Sequence, residues 1–311
     1  MHTTAAEQRD LVQRTLAHHI RLTRDPYAAT PPQLAAVQPQ QLLDGAVSYL
    51  NLPFGFVPGF RPLMLDLHIP QGCREPVPVV VYAHGAGLFS GSKTYGHWHF
   101  LPSAGYAVAS VDFRLGSETR YPGQLHDMKA AVRWIRANAA VYGLDPGRVV
   151  IWGGSIGAVI ASQLALTNGR PEYEGEITIG SYPEALAQSS EVSGCIFFYG
   201  ASDFLALPGD AHPDAVIDMG APSSPPSVYL GHVAADDPGR AASVQPVGLV
   251  SPTAPPFLLV HGDTDVIVGS AQSRRLHDAL RAAGVDSELH ILPGASHGLP
   301  AEAFESDEVR G

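Results

Sequence analysis

The sequence predicts an α/β protein built on an eight-stranded, mostly parallel, doubly wound sheet with helices on both faces. Three observations carry that prediction. From residue 47 onward, short β-rich runs alternate with helical segments, the order that yields parallel strands joined by crossover helices. Several runs are continuously apolar, as in Val77-Pro78-Val79-Val80-Val81-Tyr82, which is how a strand covered on both faces reads. Turns rich in Gly and Pro separate the elements, and no repeat at solenoid or propeller period appears.

The first 45 residues have a different character. Thr4 and Glu7 have the spacing of a capping box, and Leu11, Leu16 and Ile20 recur at helical intervals until Pro26 ends the pattern. A second short helix opens at Thr30-Pro31. Two readings of this N-terminal helical segment, residues 1–45, stand side by side: helices packed on the body, or a partial lid over a site.

Strands are expected at Val47–Leu50, Met64–Ile69, Val77–Ala83, Tyr106–Phe113, Arg148–Trp152, Cys195–Tyr199, Phe257–His261 and Ser287–Leu292. The clearest helix is Gln124–Tyr142, where Met128, Ala131, Val132, Ile135 and Ala139 form one apolar stripe and Asp127, Lys129, Arg133 and Arg136 face elsewhere. Asp145-Pro146-Gly147 then turns the chain toward the next strand. Further helices are expected at Ile156–Thr167 and Ser270–Ala283, the second ended by Gly284. Residues 168–192 and 204–249 carry no clear pattern. The second of these leaves the C-terminal end of a strand, where sites form in such sheets.

Composition narrows the function classes. The net charge of −11, with no Lys/Arg-rich block, argues against nucleic acid or anionic lipid as a partner. Two cysteines cannot make a disulfide framework, and Cys73 and Cys195 are read as free structural thiols. Glu7, Arg9, Asp10 and Arg14 interrupt the stretch where a signal peptide needs apolar residues, and no run approaches the roughly 18 apolar residues of a membrane span. The expected address is therefore cytoplasmic, with no membrane partner. The sequence is silent on oligomeric state.

The residues that bear chemistry begin with Gly153-Gly154-Ser155-Ile156-Gly157, which follows an expected strand and opens an expected helix. A serine on such a sharp turn is held in a strained backbone and presented clear of it, and small residues at 153 and 157 avoid the resulting clashes. Serine needs a base within hydrogen-bond reach and a third group to orient that base. Among 14 histidines, only His297 follows the last strand in a Gly-rich loop. His97 and His99 have H-x-H spacing but no acidic or Cys partner nearby in sequence, so no metal is expected. The acid has three candidates. Asp265 is favoured over Asp263, which directly follows Gly262 and suits holding its own turn, and over Asp203, which suits a helix N-cap. An oxyanion formed at the serine would need N–H donors, and His84-Gly85-Ala86-Gly87 after the third strand supplies them. The expected donors are the N–H groups of Ala86, Gly87 and Ile156.

With these motifs the chain resembles the α/β-hydrolase superfamily, and within it the carboxylesterases of the hormone-sensitive-lipase-like and bacterial feruloyl-esterase-like groups. His84-Gly85-Ala86-Gly87 through Gly91-Ser92-Lys93 is similar to the family's H-G-G-G and following G-S-K. Val111-Asp112-Phe113-Arg114-Leu115 is similar to D-Y-R-L, and Tyr142-Gly143-Leu144-Asp145-Pro146 to Y-G-L-D-P. The run Pro255 to Asp265 is similar to P-P-F-L-x-x-H-G-x-x-D, whose last Asp is the triad acid, which supports Asp265. The resemblance covers about Leu65 to His297. It implies an α/β-hydrolase fold and cleavage of carboxylic esters by a Ser155–His297–Asp265 triad; no cofactor or metal is expected, and small or short acyl groups are expected from the narrowed space at Ala86 and Ile156. Because those three residues must meet, residues 46–311 are expected to form a single catalytic domain. Two departures, Ala86 in place of a third glycine and Ile156-Gly157-Ala158 after the serine, narrow the space at the donors. They leave amide or thioester cleavage and acyl transfer as alternatives, with a non-catalytic binding protein more remote.

Overall fold

The computed structural model describes residues 38–57, 61–175 and 183–299, so the expected helices within residues 1–37 lie outside them. The eight expected strands are all present: β1 (Ala46–Gly55), β2 (Leu63–Pro70), β3 (Val77–Ala83), β4 (Ala107–Val111), β5 (Leu144–Gly154), β6 (Gly194–Phe198), β7 (Phe257–Gly262) and β8 (Ser287–Leu292). They form one sheet in the order β1-β2-β4-β3-β5-β6-β7-β8. β2 runs antiparallel to both neighbours, and every pairing from β4 to β8 is parallel. Each parallel crossover carries a stretch of chain across a face of the sheet, which is why the inner strands carry long apolar runs such as Val79-Val80-Val81-Tyr82 of β3.

The period of two sorts those residues onto two faces. Val79 and Val81 of β3, Val149 and Ile151 of β5, Cys195 and Phe197 of β6, and Phe257 and Leu259 of β7 join the larger core. Against it pack α1 (Gly123–Tyr142), through Leu125, Met128, Val132 and Ile135, and α2 (Ile156–Leu166), which is buried all round. The remaining α-helices in chain order are α3 (Pro183–Leu186), α4 (Pro225–Leu230), α5 (Pro238–Val244), α6 (Pro246–Leu249) and α7 (Ala271–Ala282). Leu276 and Leu280 of α7 join the same core. α7 ends as a Schellman turn: the Gly284 N–H donates to Arg281 O and the Val285 N–H to Leu280 O, both at 3.0 Å, with Gly284 at φ +80.

The alternate residues, Val80, Tyr82, Val108, Trp152, Phe198 and Val260, form a smaller cluster on the second face. Two 3₁₀ turns, Trp98–Phe100 and Pro102–Ala104, supply Trp98, Phe100 and Leu101 to it. Here the buried His68 ring stacks on Trp98 at 4.6 Å while Nδ1 meets Ser48 Oγ at 2.8 Å. Burial, with a contribution from His99, lowers the His68 pKa to about 4. The unfolded chain, with a histidine pKa of about 6.5, therefore binds more protons in between. This contribution to stability is full above pH ~6.5 and is lost as the pH falls to about 4, on the order of 3 kcal/mol in all. Chemical denaturation at pH 7 and pH 4.5 should show a smaller difference in His68→Gln than in the parent protein.

Two elements differ from their sequence reading. β1 extends past Leu50 to Gly55 because register shifts between Tyr49/Leu52 and Pro53/Gly55 reset its alternation. Asn51 takes φ 57 at the first shift, and its N–H donates to Asp66 Oδ1 at 2.7 Å. Asp145-Pro146-Gly147 bulges within β5 rather than preceding it, since Val77 pairs with Leu144 and Val79 with Val149. The Gly147 N–H closes that bulge on Asp145 Oδ1 at 2.8 Å.

The patternless 204–249 stretch is a series of short helices pinned to α2. Buried Gln163 donates to Val244 O at 2.7 Å and accepts from the Tyr229 hydroxyl. Cys73 is exposed and Cys195 buried, both as free thiols. Among the described residues no helix is long and apolar enough to cross a membrane.

Candidate active site

β5 delivers the chain to Ser155 at φ 56, ψ −124, and α2 begins at the next residue. The turn is tight enough to require glycine on both sides. A Cβ at Gly153 would stand 2.1 Å from Gly157 O, and one at Gly157 would stand 2.2 Å from Ala83 O. Both obstacles are backbone and cannot swing aside. Gly153→Ala should therefore destabilise the fold by about 3 kcal/mol, read as a lower denaturation midpoint at unchanged slope.

Ser155 Oγ lies 3.0 Å from His297 Nε2, and His297 Nδ1 lies 2.7 Å from Asp265 Oδ2. Asp265 Oδ1 accepts from the N–H groups of Ile267 at 2.8 Å and Val268 at 2.9 Å. Burial of this carboxyl opposes ionisation, but hydrogen bonds from His261, His297 and the Val268 backbone outweigh it and hold the pKa well below the usual carboxylate range. The loops after β5, β7 and β8 thus bring the three expected residues into one hydrogen-bonded chain. The other two acids serve turns: Asp263 Oδ1 accepts from the Gly294 N–H at 2.7 Å, and Asp203 Oδ1 from Leu205 and Ala206 at 3.2 and 3.1 Å.

Two neighbours of the chain escaped the sequence reading. His261, wholly buried at the end of β7, places Nε2 2.8 Å from Val268 O and 3.2 Å from Asp265 Oδ2, while Nδ1 meets Ser273 Oγ at 2.7 Å. Its spacing of four from Asp265 within the H-G-x-x-D run was the available signal. Tyr199 packs its ring edge-on to His297, with centroids 4.9 Å apart, from a backbone at φ 41. A left-handed tyrosine beside this hydrogen-bonded chain is a strained position of the kind that clusters at sites. Nothing in its apolar strand run announced it.

The loop after β3 faces the serine. A Cβ at Gly85 would lie 3.1 Å from Gly154 O and 3.3 Å from Ser155 Cβ, so the two turns are in contact. Ala86, Gly87 and Leu88 take φ of 73, 66 and 69, three consecutive left-handed residues of which only one is glycine. The strain of Ala86 and Leu88, about 1–2 kcal/mol each, is held by surrounding bonds. Leu88 O accepts from the Gly116 N–H at 2.9 Å, and the buried His84 stacks on Phe113 at 4.3 Å. Ile156, the first residue of α2, carries one of the N–H groups that a helix leaves without an internal acceptor.

Ala86, Gly87, Ser155, Ile156 and His297 line one cavity of about 290 Å³. Its remaining wall is apolar, with Val159, Ile217, Met219, Ile267 and Val268 prominent and no Asp, Glu, Lys or Arg lining it among the described residues. A hydroxyl bonded to an imidazole that is bonded to a buried carboxylate can lose its proton to that imidazole as it attacks a carbonyl.

Comparison with known proteins agrees with this architecture. The chain is 29% identical to the esterase LipQ of Mycobacterium tuberculosis over 81% of its own length and 58% of LipQ. It is 27% identical to the esterase LipC of the same organism over 72% of its length and 54% of LipC, so it spans little more than half of these curated relatives. Among solved structures, a truncated carbohydrate esterase from gut microbiota superposes with a TM-score of 0.74 at 24% identity, covering 88% of this chain and 95% of that one. The fold is that of the α/β-hydrolases. The family model for BD-FAE matches residues 65–280, a span from β2 through most of α7 that includes Ser155 and Asp265, and the chain belongs to the BD-FAE family.

Proposed function

We propose that the chain is a serine carboxylesterase acting on small neutral esters through an acyl-enzyme. The observation that carries this reading is the continuous hydrogen-bonded line Asp265–His297–Ser155 at a strained strand-to-helix turn. In the proposed reaction Ser155 Oγ attacks the ester carbonyl carbon as its proton passes to His297 Nε2. The carbonyl oxygen becomes an oxyanion that accepts from the N–H groups of Ala86, Gly87 and Ile156. His297 then gives the proton to the leaving alcohol as the C–O bond breaks. Water, deprotonated by His297, attacks the acyl carbon, the bond to Ser155 Oγ breaks as His297 returns the proton to Oγ, and the acid is released. Asp265 fixes the imidazole tautomer and stabilises the imidazolium. Residues 46–311 act as one catalytic domain in this scheme, since one sheet supplies all three groups.

The cavity supports small neutral esters as the substrate class. Its volume of about 290 Å³ lies just below the roughly 300–1,000 Å³ common for ligand pockets, and among the described residues its wall offers no charged partner to an ionised substrate group. Compact apolar acyl groups fit best. In a p-nitrophenyl ester series kcat/KM should peak at short acyl chains and fall at least about tenfold by a long fatty acyl chain, about 1.4 kcal/mol of transition-state binding. Preference for long chains would contradict the compact site, and weak turnover of all simple esters beside rapid thioester turnover would favour acyl transfer.

A further inference from the structure

Among the described residues, the hydroxyl and imidazole groups that line the cavity belong to Ser155, His297, Tyr95 and Tyr199. Ser155 and His297 are bonded to each other. Tyr95 is 56% exposed, so water meets its hydroxyl from outside. Tyr199 is only 6% exposed, its ring touches Phe198 and His297, and its hydroxyl has no hydrogen-bond partner among the described residues. Buried polar groups in native proteins are nearly always paired, so one that opens onto a cavity without a protein partner points to a ligand. The backbone agrees. Tyr199 is held at φ 41, a left-handed conformation that costs a side-chain-bearing residue energy, by a bond from its N–H to Val260 O at 2.9 Å.

Two neighbours define where this hydroxyl sits. A Cβ at Gly154 would stand 2.8 Å from Tyr199 Oη, so the oxygen lies over the residue that precedes the serine. The ring itself meets the His297 imidazole edge-on, with centroids 4.9 Å apart. In the serine-esterase reaction proposed above, on which this inference rests, His297 Nε2 protonates the leaving oxygen, so the alcohol portion of the substrate lies against His297 and therefore beside Tyr199. The carbonyl oxygen is turned instead to Ala86, Gly87 and Ile156. Burial pushes the pKa of the Tyr199 hydroxyl up, which keeps it protonated and able to donate. We propose that Tyr199 is a specificity residue whose hydroxyl donates a hydrogen bond to an oxygen in the alcohol portion of the substrate. Esters of alcohols that carry an ether or hydroxyl oxygen close to the ester are then favoured over alkyl esters of the same shape. An alkyl group in that place would shut the hydroxyl from water and leave it unpaired, and a site discriminates strongly against a ligand that leaves its own polar group unpaired.

The test compares two pairs of isosteric esters in the full chain and in Tyr199→Phe, which removes only the hydroxyl. 2-Methoxyethyl butyrate and n-butyl butyrate exchange an ether oxygen for a methylene in the alcohol, and n-butyl methoxyacetate and n-butyl butyrate make the same exchange in the acyl group. Taking the ratio of kcat/KM within each pair, and comparing variant with parent, cancels the intrinsic reactivity of the esters. The preference for 2-methoxyethyl over n-butyl butyrate is expected to fall about tenfold in Tyr199→Phe, and the acyl-side ratio to stay within about twofold. An unchanged alcohol-side ratio in a folded variant that turns over both esters would overturn the proposal and leave the esterase reading standing. A fall confined to the acyl-side ratio would overturn the assignment to the alcohol. A melting temperature lowered by about 3 °C or more would show that the protein itself binds the hydroxyl and would also count against the proposal. Turnover of n-butyl butyrate that survives Ser155→Ala would overturn the esterase reading and the proposal with it.

Discussion

Replacing Ser155 by Ala is expected to lower kcat/KM for a short p-nitrophenyl ester by at least about 10⁴-fold while the protein remains folded. The substitution removes the proposed nucleophile and leaves the loop at Ala86 and Gly87 in place. Stability should change little. Alanine keeps the Cβ that the left-handed turn at φ 56 already accommodates, and the bond from the residue 155 N–H to Phe198 O, 2.9 Å, is a backbone bond that survives. The variant must therefore be compared at matched folded concentration, by titrating turnover beside a thermal melt. Loss of less than about tenfold in a fully folded variant would mean that another group carries the chemistry.

Asp265→Asn is expected to cost about 10⁴-fold in kcat, although it changes the side chain by one atom type. The surrounding donors dictate the outcome. The Ile267 and Val268 N–H groups, 2.8 and 2.9 Å from Oδ1, demand an acceptor, so the amide oxygen of asparagine must take that position. The amide NH₂ then falls where Oδ2 stood, 2.7 Å from His297 Nδ1 and 3.2 Å from His261 Nε2. His297 can meet that NH₂ only as an acceptor, which moves its proton to Nε2 and leaves no lone pair facing Ser155. His261 Nε2 would retain its bond to Val268 O, 2.8 Å away, so the local fold should persist. Measuring kcat together with the melting temperature separates this tautomer effect from simple unfolding. A variant that keeps both its kcat and its melting temperature would show that Asp265 does not set the imidazole tautomer.

What the sequence made legible was what local pattern encodes. The inner strands β3, β4, β6 and β7 read out because burial on both faces makes their runs largely apolar, and α1 because its stripe has a clear period. Ser155 read out because a strained turn needs small residues at fixed offsets, and His297 and Asp265 because each follows a strand in a turn-rich loop. What stayed hidden depends on contacts distant in sequence. The extension of β1 beyond Leu50 was masked by the shift at Asn51, which breaks the alternation that signals a strand. The helices between residues 204 and 249 are short and Pro-initiated, and α2 holds them through Gln163 rather than through any stripe of their own. Tyr199 looked like one more core residue at a strand end. Its position against His297 comes from β6 and β8 reaching the same edge of the sheet, which no local period records. His261 was visible within a motif, but its bond to the carboxylate depends on how the β7 loop folds back.

The most direct measurement of the central claim is covalent capture of the nucleophile. The folded protein is incubated with a fluorophosphonate, digested and mapped by mass spectrometry, with turnover of a short ester followed in parallel. The account predicts one adduct per chain, on Ser155, with activity falling in step with labelling and no adduct in Ser155→Ala. An unlabelled Ser155 in protein that still turns over the ester, or an adduct on another residue that tracks the loss of activity, would contradict it.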